Sequence, residues 1–126
     1  MKAERSTNRL EAFEAYRERM NARILEEKDH TGIKRFFSLD TAAYRDGALD
    51  ARTKELLGLV ASTVLRCQDC IDYHIIRCVE AGFSEEEIDD ALNVALVVGG
   101  SIVIPHFRRA VEMMDLVVAR ERESNA

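Results

Sequence analysis

Apolar residues return every three or four positions along nearly the whole chain. No stretch alternates apolar and polar residues for long enough to make a strand. The pattern predicts an all-α protein, a single-domain helical bundle of about six helices. Leu10, Phe13, Tyr16, Met20 and Ile24 mark an amphipathic first helix, which His30-Thr31-Gly32 should end. Phe36, Phe37 and Leu39 form a short apolar cluster, followed by a short helix around Thr41 to Tyr44 and a turn at Asp46-Gly47.

Asp50 is placed to cap the next helix, with Leu56, Leu57, Val60 and Val64 on its buried face. A further helix carries Cys67, Cys70 and His74 and should stop at Gly82 as its C′ residue. Ser84-Glu85-Glu86-Glu87 reads as a capping box for a helix that buries Ile88, Leu92, Ala95 and Leu96. Gly99-Gly100 interrupts the chain. Ser101 is then expected to cap a last helix through Val111, Met114 and Val118, with Pro105 tolerated near its start. The charged end, Arg120 to Ala126, is expected to fray. From Ala91 to Ile104 the chain is apolar on almost every helical face. One small core cannot cover all of that surface, so a homo-oligomer is expected.

Composition narrows the classes. The 126 residues fit one domain, and 47% hydrophobic residues can fill a core. Lys and Arg number 18 against 23 Asp and Glu, for a formal net charge of -5. No basic stripe is available for nucleic acid, and anionic lipid would not attract the chain. Met1 to Arg9 lacks an apolar leader segment, and the run from Ala91 to Pro105 is too short and too interrupted to span a bilayer. A cytoplasmic protein is expected. There thiols are kept reduced, and a CxxC pair points to catalysis or metal binding more than to a permanent staple.

The chemistry concentrates in Cys67-Gln68-Asp69-Cys70-Ile71-Asp72-Tyr73-His74. At helical spacing the two thiols and the imidazole share one face. A helix starting near Cys67 would place a thiolate by unpaired backbone N–H groups, which stabilise it. One cysteine could attack and the other resolve the product as a disulfide, with His74 taking the Cys70 proton. The same residues could hold zinc, with Cys78, His106 or Glu55 as fourth ligand, although no second CxxC or HxxxH supports that site. Two buried cysteines facing a core are the bland alternative. Cys78 reads as core, His30 as a loop residue, and His106 as a packed or capping residue that could border the site. Phe36-Phe37 reads as core or interface, and Tyr73 as packing or pocket lining.

The string Glu55-x11-Cys67-x2-Cys70-x3-His74 resembles the signature of alkylhydroperoxidase D-like proteins of the carboxymuconolactone decarboxylase superfamily. The flanks Lys54-Glu55-Leu56, Ala81-Gly82, Ser84 to Ile88 and Val98-Gly99-Gly100 agree, so that the resemblance covers roughly residues 36 to 118. It implies that residues 1–126 are one domain of this type, with 1–35 as an N-terminal helical extension. It implies an all-α homo-oligomer, commonly a trimer or hexamer. It also implies peroxidase or disulfide-reductase chemistry through Glu55, Cys67, Cys70 and His74. On one straight helix Glu55 would lie ~18 Å from Cys67, so a break near Arg66 to Asp69 is needed to fold it back. Glu55 would then orient His74 or relay its proton.

The implied partners are a small hydroperoxide and a cellular dithiol or disulfide reductant, with no cofactor and no metal. One position departs from the best-studied branch, which has a histidine just before the second cysteine, where this chain has Asp69. A carboxylate there disfavours a nearby thiolate. Two other functions remain open from sequence. One is a zinc- or thiol-containing scaffold or redox sensor without turnover, and the other a lactone decarboxylase, whose branch lacks the CxxC pair.

Overall fold

The computed structural model describes residues 7–125, and every regular element in that range is helical. The reading of Met1 to Arg9 as a polar start therefore falls largely outside the described residues. Two compact units divide between Ala43 and Tyr44.

In the first unit, α1 (Arg9–Ala22) opens on Asn8, whose side chain accepts from the Glu11 N–H at 2.9 Å. The helix widens into a π-helical segment, Arg23–Lys28, and stops at Asp29 in a left-handed conformation with φ of 52°. His30 lies in the two-residue link before the next helix, and it also caps that helix. Its carbonyl accepts from the Lys34 N–H at 3.0 Å and its Nδ1 from the Ile33 N–H at 3.3 Å, so that it opens α2 (Thr31–Ala43). One 13-residue helix thus replaces the expected short helix around Thr41 to Tyr44. The reason is local. Asp29 turns left-handed and ends the first helical stretch before His30-Thr31-Gly32 is reached, and Gly32 falls in the first turn of α2. Phe36 and Leu39 stay exposed on α2 in the single chain.

The second unit carries the core. Asp50 caps α3 (Ala51–Val64), accepting from the Thr53 N–H at 2.7 Å. The buried face of α3 differs from the expected one. It is Glu55, Leu59, Ser62 and Thr63, whereas Leu56, Val60 and Val64 are half-buried and Leu57 is exposed. Spacings of four, three and one place those four residues on one stripe, so the inner face is more polar than hydrophobicity alone implies. Thr63 remains satisfied there by donating its hydroxyl to the Leu59 carbonyl at 2.7 Å.

The join to α4 (Gln68–Glu80) is very short. Leu65 is the C-cap of α3, Arg66 turns left-handed at φ 60°, and Cys67 is already the N-cap of α4. The Cys67 N–H reaches the Ser62 carbonyl at 3.1 Å and the Arg66 N–H the Thr63 carbonyl at 3.0 Å, a Schellman closure. The same closure ends α4. Gly82 has φ of 90°, and the Phe83 N–H meets the Cys78 carbonyl at 3.1 Å.

Ser84 and Glu87 form the expected capping box on α5 (Glu85–Gly99). Its inner face buries Ile88, Ala91, Leu92 and Ala95, but Val94, Val97 and Val98 are exposed, as is Ile102 beyond it. The segment from Ala91 to Ile104 is therefore half outside in one chain rather than buried all round. After Gly100, at φ 82°, a 3-10 turn (Ser101–Val103) leads into α6 (Ile104–Ser124). Ser101 starts that turn and makes no side-chain cap, and α6 stays helical to Ser124, where fraying was expected.

α3 packs on α4 and α5, and α4 packs on α6. Leu59, Ile71, Ile75, Ile88, Leu92, Met113 and Val117 are fully buried between them. Each contributes roughly 1.5–3 kcal/mol through the apolar area it removes from water. No helix among the described residues is long and apolar enough to cross a membrane.

Candidate active site

The Schellman turn at Arg66 delivers both cysteines to the first turn of α4. Cys67, its N-cap, is half-buried, and Cys70, three residues on, is exposed. The two are paired as a disulfide, with Cα atoms 5.3 Å apart. Backbone N–H groups at a helix start lack intrahelical partners and favour negative charge, so a thiolate released here on reduction is stabilised.

His74 lies one turn further along α4 and is only 6% exposed. The reversal at Arg66 folds α3 back on α4 and lays Glu55, 7% exposed, against it. The His74 Nδ1 and Glu55 Oε2 are 2.9 Å apart. A carboxylate only accepts, so Nδ1 carries the proton and the neutral ring presents Nε2 as a base. The second carboxylate oxygen faces Arg77, whose Nε is 3.7 Å from Oε1. Two partners thus compensate a charge that burial alone would disfavour. The structure brings His74 and Glu55 into direct contact and sets the cysteine pair one turn earlier on the same helix.

Two contributors, Tyr44 and Gly58, were not foreseen in the sequence, whereas Tyr73 stands against the site as its reading allowed. The Tyr44 hydroxyl is 3.2 Å from His74 Nε2, and the two rings lie 5.3 Å apart. Tyr73 meets the same imidazole edge-on at 5.1 Å. Gly58 makes room for both partners. A Cβ there would fall 2.6 Å from His74 Cε1, 2.7 Å from its Nε2 and 2.7 Å from the Tyr44 oxygen. A lone glycine inside a helical pattern signals such a close approach, and Gly58 carried that signal.

Gln68, between the cysteines, bridges α4 to α6. Its amide nitrogen donates to Asp72 Oδ1 at 2.9 Å, and its oxygen accepts from His106 Nδ1 at 3.0 Å. His106 thus borders the site as a packed residue. Cys78 is fully buried, and its thiol is pushed up to about 12 by burial and then by the charge of Glu55. It is a core residue, inert as a nucleophile. Among the described residues, no group of three or more His, Cys, Asp and Glu side chains converges as a metal site.

Comparison with known proteins places this arrangement in a family. The model of the carboxymuconolactone decarboxylase family matches residues 33–113. A carboxymuconolactone decarboxylase family protein from Thermotoga maritima, whose crystal structure description raises an antioxidative role as a possibility, is 53% identical. That similarity covers 91% of this chain and 97% of the Thermotoga chain, with a TM-score of 0.84. A member of the same family from Legionella pneumophila, solved in its apo form, is 26% identical. It spans 88% of this chain and 98% of its own, with a TM-score of 0.79. The Paracoccus denitrificans protein named "Uncharacterized protein 4 in cox locus" is 31% identical over 80 residues, 64% of this chain and 72% of its own length. By family model and by fold alike, this chain belongs to the carboxymuconolactone decarboxylase family and has the alkylhydroperoxidase D-like fold.

Proposed function

We propose that the protein is a thiol-dependent antioxidant oxidoreductase that reduces hydroperoxides through the Cys67–Cys70 pair. The observation that carries this reading is the adjacency of a CxxC disulfide at a helix start and a buried Glu55–His74 pair one turn away. The description of the Thermotoga relative, with its antioxidative role given as a possibility, points the same way.

In the proposed cycle, one cysteine thiolate attacks a hydroperoxide oxygen. The O–O bond breaks, the sulfur becomes a sulfenic acid, and the departing alkoxide takes up a proton as the alcohol. The second thiol then displaces water from the sulfenic acid and closes the Cys67–Cys70 disulfide. His74, with Nδ1–H held by Glu55, is the base that takes a thiol proton and the acid that returns one to the leaving oxygen. Cys70 precedes it by one helical turn, which favours Cys70 as the thiol it activates. A cellular dithiol then reduces the disulfide, a step suited to a compartment such as the cytoplasm.

Asp69, exposed beside Cys70, adds negative charge near the thiolate. It sets this chain apart from the branch with histidine there. We also propose that the exposed apolar stripe of Val94, Val97, Val98 and Ile102 packs against a second copy of the chain, in a trimer or hexamer. Light scattering on the purified protein tests that assembly.

The functional test is consumption of a dithiol driven by hydroperoxide. Cys67→Ser and Cys70→Ser should each abolish it. Wild-type rates in both variants would contradict the mechanism and favour decarboxylase chemistry, which needs neither thiol. Stoichiometric zinc that blocks thiol titration in the purified protein would favour the scaffold reading instead.

A further inference from the structure

His74 has both ring nitrogens occupied while the cysteines are oxidised. Glu55 accepts from Nδ1, and the Tyr44 hydroxyl stands at Nε2. In the form of the ring that serves as a base, with its one proton on Nδ1, Nε2 offers only a lone pair, and the Tyr44 O–H is its donor. In the disulfide state neither sulfur carries a proton that could fill that role. After reduction, Cys70 carries a thiol proton one turn before His74 on α4.

We propose that Tyr44 is a positioning residue that selectively stabilises the oxidised form. Its hydroxyl satisfies His74 Nε2 in the state where no thiol proton is available. The inference rests on the reading of Cys67–Cys70 as an exchanging redox couple. Nε2 belongs to a side chain only 8% exposed, and an acceptor left without a partner at such a depth is costly. The reduced form is less dependent on the hydroxyl, because a thiol proton is then present one turn away. Tyr44 therefore shifts the dithiol–disulfide equilibrium through His74.

The test is a redox titration of the pair against glutathione, in which the protein disulfide and two glutathione thiols exchange to give the protein dithiol and glutathione disulfide. Tyr44→Phe keeps the ring and removes the hydroxyl. It should move the equilibrium toward the dithiol by about threefold to about tenfold, the upper end being about 30 mV for a two-electron couple. In a His74→Ala background the same substitution should move it by less than about twofold, since no Nε2 remains to satisfy. Gly58→Ala is the second variant. It separates ring and hydroxyl sterically while keeping both, and should shift the equilibrium in the same direction.

An unchanged or reversed equilibrium in Tyr44→Phe, or an equal shift without His74, overturns the role of Tyr44 and leaves the redox couple standing. A wild-type pair that fails to exchange at any glutathione ratio overturns the redox reading itself, and this inference with it.

Discussion

Gly58→Ala is the most informative single substitution outside the cysteines. In an ordinary mid-helix position it would stabilise α3 by about 1 kcal/mol, because alanine has the better helix propensity. Here the new methyl would sit 2.6 Å from His74 Cε1, 2.7 Å from Nε2 and 2.7 Å from the Tyr44 oxygen. All three contacts are too close, so the imidazole and the phenol must move. Overpacking of this kind costs about 1–3 kcal/mol. Losing the Tyr44–His74 bond and weakening the His74–Glu55 bond add about 1 kcal/mol each. The sum exceeds the propensity gain, and the net expectation is a destabilisation of about 2–4 kcal/mol in urea unfolding. The displaced His74 should also slow hydroperoxide oxidation of the reduced protein by at least about tenfold, since general acid–base assistance is typically worth ~100-fold or more. A variant more stable than wild type by about 1 kcal/mol, oxidising at the wild-type rate, would refute the packing of His74 and Tyr44 over α3.

Other substitutions probe the frame around the site. Arg66→Gly should stabilise the protein by about 0.5–1 kcal/mol in urea unfolding, because it relieves the left-handed backbone at φ 60° at some entropic cost in the unfolded chain. Gln68→Ala cuts both the His106 and Asp72 hydrogen bonds and should cost about 1–2 kcal/mol by the same measurement. Cys78 should resist alkylation in the native protein at pH 8 while the reduced Cys67 and Cys70 react, as peptide mapping can show. Because burial raises the Cys78 thiol from 9.0 to about 12, the native state keeps a proton that the unfolded state loses. The stability from that linkage is complete below about pH 9 and falls as pH climbs toward 12. Cys78→Ala should flatten the alkaline decline in melting temperature.

The helical class and most caps were legible because they depend on local chemistry. Asp50, Ser84 with Glu87, and Gly82 each act within a few residues of themselves, and all appear as the sequence implied. The need for a chain reversal near Arg66 was also readable, since no straight helix could bring Glu55 to His74. The failures have physical causes. His30 caps α2 with a ring nitrogen, and Asp29 turns left-handed, roles that histidine and aspartate fill less often than serine and glycine do. The inner face of α3 was misplaced because the polar Glu55, Ser62 and Thr63 are buried there, Glu55 and Thr63 with side-chain hydrogen bonds, to which a hydrophobic pattern is blind. Tyr44 reaches the site across thirty residues of chain, and no local spacing encodes such a meeting, whereas His106 borders the site as its sequence reading allowed. Gly58 alone left a trace, as a glycine in a helix that had no turn to make.

The central claim is that Cys67 and Cys70 form one redox couple that hydroperoxide can oxidise. The direct measurement is to reduce the protein fully, add one equivalent of hydroperoxide, count thiols over time and map crosslinks by mass spectrometry. The account predicts a rapid loss of two thiols, a peptide crosslink between Cys67 and Cys70, and a Cys78 thiol that survives. Three thiols persisting after the peroxide is added, or a crosslink that involves Cys78, would contradict it.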